Sequence, residues 1–111
     1  VRDGRARAVA VSHPQGSPIL PGVPGLADTL PGFDQSVWHG ILAPAGMDRG
    51  LVERINEVFR RIAAMPEVQE AVFRQQAGRV VGGSPEDFAA HIRREYATWE
   101  PVIREGNIRA D

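Results

Sequence analysis

Three histidines, four serines and a scatter of carboxylates are the groups that could do chemistry in this 111-residue chain, and their spacing limits what that chemistry is. His13, His39 and His91 stand far apart in no His-x-x-x-His or His-Glu-x-x-His arrangement, the spacing at which two imidazoles one helical turn apart share a zinc ion. No metal site is expected. Ser12, Ser17, Ser36 and Ser84 include no Gly-x-Ser-x-Gly elbow, and no nucleophile, base and orienting group stand in a recognisable relation. The expectation is a chain with no catalytic residues, one that is not an enzyme. The absence of cysteine removes thiol nucleophiles, thiolate metal sites and disulfides together, and it fits a reducing or an oxidising compartment equally. Gly82-Gly83-Ser84 could offer backbone donors to an anion, but Pro85 withdraws one donor and Asp87 brings a competing charge. The acids Glu86, Asp87, Glu67 and Glu70 read as partners of helix N-terminal turns.

The balance of charge removes further classes. Thirteen arginines against 14 acids give a net charge of -1, with no basic run that could track phosphates, so nucleic acid is not an expected partner. No cofactor is implied. No apolar run approaches the roughly 20 residues of a membrane span, and Val1-Arg2-Asp3-Gly4-Arg5 has no apolar signal core behind it. Without an initiator methionine, the chain reads as a processed product or a piece of a longer protein.

The elements that must position these groups can be read in chain order. Residues 7–12, Arg-Ala-Val-Ala-Val-Ser, predict a short buried strand. From Pro14 to Pro31, prolines and glycines prevent regular pairing and predict a stiff extended loop, with room for one helical turn between Leu26 and Leu30. Residues 37–43 alternate in apolar character and predict a connecting strand ended by Pro44 and Gly46. Asp48 should cap a helix with the stripe Leu51, Val52, Ile55, Val58, Phe59 and Ile62, and Pro66 should open a second helix that stops at Gly78. Val80-Val81 is at most a short edge strand. Ser84-Pro85-Glu86-Asp87 is a helix start of the near-capping-box kind. The helix after it should bury Phe88, Ile92, Tyr96, Trp99, Val102 and Ile103, carry His91 on a solvated flank, and close at Gly106-Asn107.

Leu30-Pro31-Gly32-Phe33-Asp34, followed by Ser36-Val37-Trp38-His39-Gly40-Ile41-Leu42-Ala43-Pro44-Ala45-Gly46, resembles a passage in the C-terminal part of the Bug (TctC-type) extracytoplasmic solute-binding proteins, the receptors of tripartite tricarboxylate transporters. Several further motifs fall in the family's order: residues 5–12, Ser17-Pro18, Leu20-Pro21-Gly22-Val23-Pro24, Gly82-Gly83-Ser84-Pro85-Glu86-Asp87-Phe88, Trp99-Glu100-Pro101-Val102-Ile103 and Gly106-Asn107-Ile108-Arg109-Ala110-Asp111. The chain departs from the family at Gly22, Gly25 and His13, where an acid, a hydroxyl residue and a small hydroxyl residue are more usual.

The resemblance implies an α/β chain, the C-terminal fragment of a two-lobed periplasmic-binding-protein fold with two or three strands and three main helices. Residues 1–34 would end the second lobe with its Pro-rich loop, 35–46 would be the connecting strand, and 47–111 the helical C-terminal part. It also implies a periplasmic receptor for a small organic carboxylate that works with membrane transporter subunits. Ser12 and His13 are the ligand-binding candidates, because they follow the carboxyl end of a strand, where open α/β sheets place their ligands. A different outcome stays open: a truncated, non-binding remnant that acts as a self-association or interaction module, a homo-oligomer formed through the exposed apolar surface of the truncation.

Overall fold

Prolines decide the first third of the chain. The computed structural model describes residue 1 and residues 3–109, and the last two residues of the closing motif lie outside the described residues. The predicted strand at 7–12 is reduced to a single parallel bridge between Val11 and Gly25, made by Val11 N–H to Pro24 O at 3.0 Å and Leu26 N–H to Val11 O at 2.8 Å. The next rung on one side would need the N–H of Pro24, which does not exist. On the other side Asp28 N–H is already given to Gly25 O in the turn Leu26–Asp28. The ladder therefore stops at one rung.

No strand forms among the described residues, which corrects the two or three strands expected. An extended segment becomes a strand only by pairing, since each unpaired residue leaves a donor and an acceptor to water. Residues 37–43 form no ladder, and Val37 remains 89% exposed. The same holds for Val80-Val81. The three helices stand as expected: α1 is Arg49–Ala63, α2 is Pro66–Gln76 and α3 is Pro85–Glu105.

The chain divides into two compact units. The first comprises Val1–His39 with Glu70–Arg79, the second Gly40–Gln69 with Val80–Asp111. In the first, Gly25 is the one buried residue among those described, and a Cβ placed on it would meet Pro14 O at 2.6 Å and His13 O at 2.9 Å. No hydroxyl-bearing side chain fits there without moving backbone. At the end of α2, Ala77 takes a left-handed φ of 52°, which lets its N–H reach Phe73 O at 3.0 Å and Gly78 N–H reach Val72 O at 3.4 Å. The helix stops one residue before the glycine expected to stop it.

In the second unit Asp48 caps α1 by accepting Leu51 N–H at 3.0 Å. A reciprocal capping box opens α3: Asp87 N–H donates to Ser84 Oγ at 3.1 Å, and Ser84 N–H to Asp87 Oδ2 at 3.0 Å. Helices α1 and α3 pack on one another. Asn56 Nδ2 donates to Gly83 O at 3.1 Å, and Arg49 reaches Glu86 at 3.1 Å, so α1 also grips the start of α3. The buried face of α3 differs from the stripe expected. Phe88, His91, Ile92 and Glu95 are half-buried, whereas Tyr96 is 72% exposed and Trp99 42%. The cause is Gly40, whose backbone lies so close to the Phe88 ring that an added Cβ would fall 2.0 Å from Cζ. Phe88 seated on that glycine turns its own side of the helix inward.

Candidate functional site

Ser12 and His13 follow directly on the Val11 bridge, so the single rung to Gly25 fixes where they leave the backbone. The chain then turns sharply. Gly16 N–H donates to His13 O at 3.0 Å, and Gly16 takes a φ of 72° that a side-chain-bearing residue adopts only under strain. Inside the turn, Gln15 N–H donates to His13 Nδ1 at 3.1 Å.

A residue not anticipated from sequence completes the corner. Arg79, just past the end of α2, donates from Nη1 to Gln15 Oε1 at 2.5 Å, and its Nη2 lies 3.4 Å from both His13 Nδ1 and Gly16 O. The guanidinium thus spans side chain and backbone of one turn. Sequence reading missed it because 66 positions separate it from His13. The available signal was its isolation as the one cation between Arg74 and Arg93.

Among the described residues, neither the Ser12 hydroxyl nor His13 Nε2 has a hydrogen-bond partner. Both can serve a ligand. Beside the turn lies an open hollow of about 380 Å³, lined by residues 14–16 and 22–25 with Asp28. Ser12 and His13 stand outside its lining. With a carboxylate in its wall and no cation, the hollow by itself is poorly suited to an anion, and the positive charge of the corner comes from Arg79.

The other chemistry-bearing residues are used structurally. Ser84 and Asp87 satisfy one another at the start of α3, which uses two of the donors an anion there would need. His91 is half-buried against Phe88 rather than on a solvated flank. His39 is exposed. No group of three or more His, Asp or Glu that could hold a metal occurs among the described residues. No helix among them is long and apolar enough to cross a membrane.

Residues 1–108 match the family described as the tripartite tricarboxylate transporter family receptor. A protein of the tcbD-tcbE intergenic region of a Pseudomonas species is 37% identical over 109 residues, covering 96% of this chain and 32% of that protein. Protein BugT of Bordetella pertussis is 30% identical over 106 residues, covering 95% of this chain and 32% of BugT. A protein of the clcB-clcD intergenic region of Pseudomonas knackmussii is 34% identical over 74 residues, or 65% of this chain and 44% of its own. The chain thus spans about a third to under half the length of these relatives. No solved structure matches it. With the match running from the first residue through the end of α3, the chain belongs to the tripartite tricarboxylate transporter receptor family.

Proposed function

We propose that the chain is the C-terminal portion of a periplasmic solute-binding receptor that takes up a small organic carboxylate through Ser12 and His13 and delivers it to membrane transporter subunits. The observation that carries the reading is the Ser12–His13 corner, where the Ser12 hydroxyl and His13 Nε2 have no hydrogen-bond partner among the described residues and Arg79 Nη2 lies 3.4 Å from His13 Nδ1. A carboxylate has two oxygens and accepts several donors at once, so adjacent neutral donors near one fixed positive charge suit it. Family membership supplies the receptor role, and binding needs no group that performs catalysis.

The test is titration calorimetry of the chain with acetate, succinate and citrate, repeated for Ser12→Ala and His13→Ala. The expected result is heat with at least one carboxylate, weakened in both variants. No heat with any of the three, or heat that neither substitution alters, counts against the reading.

A second reading rests on a separate observation. No apolar side chain among the described residues is fully buried, and Val37, Ile41 and Leu42 on the extended segment are mostly exposed. Such a surface favours self-association, which would make the chain an interaction module. Light scattering separates the two: a dimer that gives no heat with carboxylates supports the second reading, and a monomer that binds one removes it.

A further inference from the structure

The two hydrogen-bond donors aimed at His13 carry more information than the site's composition. A neutral imidazole has one N–H and one bare nitrogen, and the bonds it makes decide which is which. Gln15 N–H points at Nδ1 from 3.1 Å, and Arg79 Nη2 lies 3.4 Å from the same atom. A backbone amide and a guanidinium can only donate, so Nδ1 must be the acceptor. The ring proton then sits on Nε2, the nitrogen with no partner among the described residues.

We propose that Arg79 is a positioning residue for ligand binding: it fixes the His13 tautomer and the turn from His13 to Gly16, so that His13 presents an Nε2–H donor to a carboxylate. The proposal rests on the carboxylate-receptor reading for its ligand and on local geometry for its mechanism. The guanidinium bonds the Gln15 amide oxygen at 2.5 Å and lies 3.4 Å from both His13 Nδ1 and Gly16 O, so one side chain reaches three points of one turn. A planar fork with five donors suits that task, and a lysine, with one compact ammonium, does not reproduce it. The residue is brought there by the end of α2, where Ala77 in its left-handed conformation reverses the chain two residues before Arg79.

The consequence for ligand choice is specific. With Nδ1 occupied by donors, His13 cannot accept a hydrogen bond from a ligand hydroxyl or amine through that nitrogen, and its Nε2–H favours an acceptor such as a carboxylate oxygen.

The experiment is nitrogen-15 NMR of the histidine rings in the 111-residue chain at about pH 8.5. It compares the parent with Arg79→Met, Gln15→Ala and Arg74→Met, whose guanidinium pairs with Glu70 in α2 and serves as the control. In the parent the His13 signals should show Nε2 protonated and Nδ1 bare. In Arg79→Met the ratio should move toward that of histidine in an unfolded peptide, in Gln15→Ala it should move part of the way, and in Arg74→Met it should not move. Succinate affinity, read by calorimetry on the same samples, should fall about three- to tenfold in Arg79→Met and stay level in Arg74→Met.

An unmoved ratio in Arg79→Met, or a parent ring protonated on Nδ1, overturns the assignment whatever succinate does. A ratio that moves while the parent gives no heat with acetate, succinate or citrate supports the role of Arg79 and removes the carboxylate reading instead.

Discussion

Phe88 stacks on His91 across one turn of α3, with ring centroids 6.4 Å apart and planes inclined by 19°. The pair lies on the half-buried side of the helix with Ile92 and Glu95, while Tyr96 is 72% exposed. Aromatic pairs of this kind contribute about 0.5–1.5 kcal/mol beyond the area they bury. His91→Ala should therefore lose about 1 kcal/mol, and Tyr96→Ala should stay within about 0.5 kcal/mol of the parent. Urea unfolding of both variants gives the comparison. A reversed order would mean that the helix packs on its Tyr96 side.

Gly40 has no room for a methyl group. An ideal Cβ on it falls 2.0 Å from Phe88 Cζ and 2.7 Å from both Cε atoms. Gly40→Ala should push the ring off its seat and cost about 1–3 kcal/mol, the usual range for overpacking. Phe88→Leu shortens the obstructing side chain. In a double-mutant cycle the pair should then be coupled by at least about 0.5 kcal/mol, the alanine costing less on the leucine background. Strict additivity would show that the ring moves aside freely.

Helices were the legible part of the fold because their signals are local. Asp48, Pro66 and Ser84-Pro85 mark starts through bonds made within one turn, and each helix begins where those residues place it. Strands failed for the opposite reason. The period-2 pattern at 37–43 says that the segment is extended, but a strand also needs a partner, and Pro24 blocks the one ladder that begins at Val11. Apolarity alone assigns Tyr96 and Trp99 to the inward stripe of α3. The contact that sets the rotation, Phe88 on Gly40, joins residues 48 positions apart and leaves no periodic trace. At 42% exposure, Trp99 should cost well under the roughly 3–5 kcal/mol of a fully buried tryptophan when cut to alanine. In the candidate corner Ser12 and His13 are expectations from chain order and family resemblance, while Arg79 arrives by the fold.

Ala77 sits at a φ of 52° where a glycine would be at ease. The left-handed region costs a residue with a Cβ about 1–2 kcal/mol, because that atom crowds the following carbonyl. Glycine removes the crowding but adds freedom to the unfolded chain. Ala77→Gly should thus stabilise the protein by about 0.5–1 kcal/mol. The same change at Ala89, inside α3, should destabilise it by about 1 kcal/mol. Melting temperatures of the two variants should move in opposite directions, and a loss at both positions would refute the left-handed cap.

Asp87 makes the stability of α3 depend on pH. The Ser84 backbone N–H, then the Ser84 hydroxyl, and more weakly the charge of Arg60, hold its carboxyl below the ordinary aspartate range. A carboxyl whose pKa is lower folded than unfolded binds more protons in the unfolded chain, so acid favours unfolding. Its contribution is therefore fully present above the unfolded value of about 3.9 and is lost as pH falls through the lower folded value. Asp87→Asn keeps an acceptor for the cap and removes the titration. The melting temperature of the parent should exceed that of the variant at neutral pH, and the gap should narrow progressively below about pH 4. A gap that stays constant from neutral pH down into strong acid would mean that the Asp87 carboxylate is no more stabilised in the folded helix than in the open chain.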